Sequence, residues 1–182
     1  MRILQASACV LALCLAAPAE AQQFQTSRPP GLEIGAEAGL AFTMGDFGKG
    51  LSSTGYDFTA RVGWEFSIGF TPQVTVSYAF WNTDPSGSTV YNLEVMPGIR
   101  WSFLAGTVRP WGTFDIGLGH VSFPGGNADG LAYDVGGGAD FMLTTGVGLG
   151  LHLRYNHTSF TIANVDQAAQ WLDFGAGLVI TF

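Results

Sequence analysis

Residues 171–182 read Trp171-Leu172-Asp173-Phe174-Gly175-Ala176-Gly177-Leu178-Val179-Ile180-Thr181-Phe182. Every second residue from Leu172 to Phe182 is apolar, and the one charge, Asp173, falls in the other register. Strict alternation is the signature of a strand with two unlike faces, because successive side chains point to opposite sides. The same period recurs upstream in seven more segments, at about 32–44, 57–69, 73–82, 91–103, 108–122, 131–143 and 147–158. Helical periodicity is absent. The predicted fold class is all-β, an eight-stranded antiparallel up-and-down barrel over residues 32–182.

The apolar registers hold no charged residue. Leu32 to Phe42, Phe58 to Ile68, Tyr91 to Phe103 and Leu131 to Leu143 are examples, each taken at every second position. The opposite registers carry Glu33, Glu37, Arg61, Glu65, Glu94, Arg100, Asp115, Asp134, Asp140, His152, Arg154 and Asp173, with many glycines between them. In a soluble barrel the apolar side faces inward; in an outer-membrane barrel it meets lipid and the polar side faces the lumen. Aromatic residues near strand ends favour the membrane. So do the glycines on the charged side, and so does a single lysine, Lys49, in the whole chain.

Composition agrees. Of 182 residues 12% are charged, about half the globular norm of ~25%, while 26 are glycine. Seven basic residues stand against 14 acidic ones, so no basic footprint for nucleic acid exists.

Residues 1–21 read as a secretory signal peptide. Met1-Arg2 supplies a positive start, Ala8 to Ala17 an apolar stretch, and Ala19-Glu20-Ala21 a cleavage signal. Ten apolar residues are too few for a spanning helix of ~20. Both cysteines, Cys9 and Cys14, lie in this segment, so the rest can form neither disulfides nor thiolate metal sites. Residues 22–31, with Pro29-Pro30, read as a flexible lead-in.

Short links after strands two, four and six, and longer links at 45–56, 83–90, 123–130 and 159–170, follow the pattern of periplasmic turns and external loops. Both termini are then periplasmic, and the four loops are the surface open to a ligand. They are polar and mildly acidic, with Asp46, Asp84, Asp129 and Asp166, and offer Phe47, Leu51, Phe123 and Ile162 as apolar contacts. Pro97 cannot donate to a ladder, so a bulge is expected there.

Three stretches resemble the eight-stranded outer-membrane barrel superfamily of OmpA, OmpX and opacity-type proteins. They are Arg109-Pro110-Trp111-Gly112 leading to Gly117-Leu118-Gly119, then Gly138 to Thr144, then Leu151-His152-Leu153-Arg154-Tyr155. The ending with Leu178, Ile180 and Phe182 resembles the signal by which such barrels reach the outer-membrane assembly machinery. The resemblance implies an integral outer-membrane protein among lipid and lipopolysaccharide, with no peptidoglycan-binding domain after Phe182.

Eight strands enclose a space that side chains nearly fill. Arg154 is expected to pair with Asp134 and Asp173 on neighbouring strands, and Arg61, Glu94, Glu65 and Arg100 to form a second group. The reading is a largely plugged, charged lumen, and a structural or surface-interacting role without cofactor, metal or enzymatic activity. A narrow cation pathway is one alternative, since acids outnumber bases inside. The other is enzymatic. His157-Thr158-Ser159 resembles the His-x-Ser pair of the outer-membrane lipid A 3-O-deacylase family, whose histidine is the base for a serine nucleophile. This chain departs from that pattern at Phe160, where the family has Asn. It also has no carboxylate at 170–172, where the family has its acid.

Overall fold

Alternating sequence becomes strand throughout the computed structural model, which describes residues 30–49, 51–83, 88–103, 106–162 and 165–182. The signal segment and nearly all of the lead-in lie outside these residues, as does Asp84. Eight strands follow in order: β1 (Gly31–Thr43), β2 (Thr54–Glu65), β3 (Phe70–Asn82), β4 (Thr89–Ser102), β5 (Val108–Phe123), β6 (Gly126–Met142), β7 (Val147–Ile162) and β8 (Val165–Thr181). Each pairs antiparallel with the next, and β8 pairs with β1, closing the barrel. Closure satisfies every strand edge, which hydrocarbon requires.

The two faces divide as the alternation predicts. Glu33, Arg61, Glu94, Arg100, Asp115, Asp134, Asp140, Arg154 and Asp173 are buried inside, while Leu32, Ile34, Val62, Val76, Val95, Ile99, Leu151 and Leu178 stand exposed outside. A polar interior within an apolar exterior inverts a soluble protein and matches a protein dissolved in lipid. Trp64, Phe66, Trp101 and Phe103 ring the end with the short links (the turn end). Tyr56, Tyr78, Phe80, Tyr91, Tyr133 and Tyr155 ring the other (the loop end), with contacts such as Tyr78–Tyr91 at 5.7 Å. Such aromatic girdles mark membrane interfaces.

Three sequence expectations need correction. Residues 123–130 are not a loop: β5 and β6 run on to pair Phe123 with Gly126. The turn between them is Pro124-Gly125, and Gly125 has φ 98°, a conformation glycine adopts without penalty. Residues 159–170 are likewise mostly strand, with Ile162 paired to Val165. Polar and small residues hid both extensions, because a strand beyond the membrane need not be apolar on either face. Third, Pro97 makes no bulge. It pairs with Val74, the ladder to β5 lapses between Val95 and Gly98, and the register resumes unshifted. The missing donor costs a gap in one ladder instead of an extra residue.

The loop end of the bore holds an apolar core that the charge pattern concealed. Ala41, Ala79, Trp81, Val90, Val121, Phe160, Ala169 and Trp171 are buried there, with Phe47 and Leu51 packed on them. Trp81 and Trp171 meet edge to face at 5.2 Å, and the Trp81 Nε1–H donates to the Ala41 carbonyl at 3.1 Å.

Candidate functional site

Arginine is long enough to cross an eight-stranded bore, and the interior is organised by that reach. Arg61 on β2 donates to Glu33 and, at 3.1 Å, to Glu37 on β1. Arg100 on β4 donates to Glu33 at 2.9 Å and to Asp140 on β6. Arg154 on β7 reaches Glu37 at 2.5 Å and lies 3.6 Å from Asp173. The two acids of β1 thus join the three arginines into one network. His152 adds Nε2 to Asp173 at 2.7 Å. Trp111 donates to Asp140 at 3.0 Å while Arg100 lies 4.3 Å above its ring, a cation–π contact.

Of the expected pairings, Arg154 with Asp173 is present and the others differ. Arg154 does not bond Asp134, whose oxygens have no hydrogen-bond partner among the described residues. Arg61 and Arg100 bond to Glu33, Glu37 and Asp140 instead of Glu94 and Glu65. Glu94 accepts from Thr158 at 2.5 Å and Asn92 at 3.0 Å. Asp115 accepts from Gln73, Thr75 and Thr113. Glu65 is buried in the interior. Neighbouring strands suggest neighbouring pairs, but cross-bore distance depends on closure. Asp57, the first residue of the segment expected at 57–69 and in its charged register, also belongs to the interior; it is buried and accepts from Thr59 and Ser77.

On the outer face, His157 Nε2 lies 2.9 Å from Ser159 Oγ. Its Nδ1 lies 3.4 Å from Tyr155 Oη, and Tyr133 stacks on the ring at 4.8 Å. Gln170 stands directly across the ladder. No carboxylate contacts this imidazole among the described residues. Phe160 turns inward to the apolar core, which accounts for its presence after the serine. Leu178 and Phe182 are exposed on the apolar outer face, with Ile180 half-buried in the same register.

An apolar outside around a charged inside, closed by eight strands and ringed by aromatics at both ends, defines an integral outer-membrane barrel. The family model of the outer membrane protein beta-barrel domain matches residues 7–182, and the chain belongs to that family. Among curated proteins none matches the sequence. In fold it is similar to Neisserial surface protein A (NspA), with 18% identity over 85% of this chain and 100% of that one, at a TM-score of 0.64. It is also similar to the outer membrane enzyme PagL, with 15% identity over 82% of this chain and 99% of that one, at 0.52.

Proposed function

We propose that this outer-membrane barrel does not conduct, and that it serves as a rigid element of the membrane or acts through its outer surface. The observation that supports this is double closure of the bore. The arginine–carboxylate network fills the middle, and the Trp81–Trp171 core fills the loop end. Buried charges so paired leave no free pathway. The turn end, where β1 begins and β8 ends, is read as periplasmic. The outward Leu178, Ile180 and Phe182 are read as the assembly signal. Lipopolysaccharide then surrounds the loop end, and residues 45–49, 51–56, 83 and 88–90, with the described ends of the β5–β6 and β7–β8 hairpins, face outward to any surface ligand. Planar-bilayer recording tests the closure: no unitary steps are expected. Steps of constant size that prefer cations would replace this reading with the channel.

One observation favours a second reading, hydrolysis of an acyl ester in the outer leaflet. His157 and Ser159 are within hydrogen-bond reach, on the lipid-facing side, at the end read as external. That is the base–nucleophile geometry of acyl transfer. PagL, an outer membrane enzyme, shares the fold. The test is a mass spectrum of lipid A from cells making the protein and from cells making Ser159→Ala. Loss of an acyl chain only with the intact serine supports the enzyme. Identical spectra, with both barrels folded, leave His157 and Ser159 as interfacial residues.

A further inference from the structure

We propose that His120, Asp129 and Ser122, on the outward face where β5 meets β6 near the loop end, form a serine esterase site. Its substrate class is the carboxylic ester of an amphiphile seated in the outer leaflet. The register sets His120 against Asp129, and His120 Nδ1 lies 2.6 Å from Asp129 Oδ1. A carboxylate on Nδ1 holds that proton and leaves Nε2 as the acceptor, the tautomer a general base needs. Ser122 lies two residues beyond His120, in the same outward register.

The segment His120-Val121-Ser122-Phe123 repeats the pattern of His157-Thr158-Ser159-Phe160. In the second copy this spacing on a strand brings Nε2 and Oγ to 2.9 Å. His120 and Ser122 share that spacing and face, with no hydrogen bond between them in this structure, so the imidazole must turn to the serine when substrate binds. The second copy has Tyr155 on Nδ1 and the first has a carboxylate. His120 therefore has the orienting acid that His157 lacks.

The surroundings suit an interfacial ester. Leu118 and Leu131, paired with each other one step toward the membrane, are 72% and 53% exposed. They offer an acyl chain an apolar ledge, while Asp129, 84% exposed, sits at the water side. In the reaction Ser122 Oγ attacks the ester carbonyl and its proton passes to His120 Nε2. The bond from the carbonyl carbon to the alkoxy oxygen then breaks, and the alcohol departs with that proton. Water, deprotonated by His120, then attacks the acyl-serine carbonyl; the bond from that carbon to Ser122 Oγ breaks, His120 returns the proton to Oγ, and the fatty acid departs. Phospholipids and acylated glycolipids both carry this ester.

The inference does not rest on the His157–Ser159 reading, and one experiment separates them. Full-length protein is refolded into phosphatidylethanolamine vesicles, with and without lipopolysaccharide. It is treated with a fluorophosphonate and mapped by mass spectrometry, and released fatty acid is measured in parallel. The expected result is labelling of Ser122 with fatty-acid release. Asp129→Asn should slow both at least 100-fold and Asp129→Glu should restore part, with the heat-dependent gel shift of a folded barrel retained in each. Release with or without lipopolysaccharide identifies the ester's source. Label confined to Ser159 would overturn this site and uphold the other; no labelled serine in a folded barrel would overturn both.

Discussion

Arg100 bonds two acids and stacks on an indole, and it has almost no contact with water. Removing one partner of a buried ionic group costs more than the group contributes net, because the remaining charges stay desolvated. Arg100→Met should therefore lower stability by about 3–5 kcal/mol, read as a shift in the urea midpoint of the barrel in lipid vesicles. Glu33 keeps Arg61, so Asp140 is the group left short. An unchanged midpoint would mean that water enters the bore and replaces the guanidinium. That Arg100 faces inward was legible from parity alone. That it would meet Glu33, three strands away in chain order, was not, since no pattern along one strand encodes a distance across the bore.

Strands impose two constraints that sequence patterns express unequally. On the lipid side, depth decides cost. Leu151→Arg, near mid-strand on β7, should destabilise by about 2–4 kcal/mol, and Gln170→Arg, at the interface, by about 0–1 kcal/mol. Folding titrations in vesicles would check both, and equal costs would misplace the membrane. On the inner side, room decides. A Cβ on Gly136 would stand 2.2 Å from Arg154 Cγ, whereas on the outer face one on Gly112 meets nothing closer than 3.7 Å. Gly136→Val should lose at least about 1–3 kcal/mol to overpacking, and Gly112→Ala should fold normally in the same gel-shift assay. The strand ends were the least legible feature. Segments such as Gly126-Asn127-Ala128-Asp129-Gly130 have turn composition, yet pair because β5 continues beside them.

For the molecule as a whole, two closures in series make a specific demand. Trp81→Ala with Trp171→Ala removes the loop-end core but leaves the arginine network, so bilayer recordings should stay silent. Adding truncations at Glu33, Arg100 and Asp140 should then produce steps. Conduction by the tryptophan double variant would show that the ionic layer is not a barrier. The apolar core was invisible in the pattern because an inward tryptophan near a strand end lies next to interfacial aromatics that point outward. Only the register distinguishes them.

The sequence by itself determined the strand number, the inside and outside of every strand, and the membrane as solvent, because period two and the absence of charge in one register leave no other place for so much apolar surface. It also contained both His-x-Ser spacings. The tertiary structure alone decided which acids meet which arginines, that the loop end is filled with indoles, and that Asp129 stands against His120. Each of these depends on ladder register and barrel closure, which bring together residues with no fixed separation along the chain.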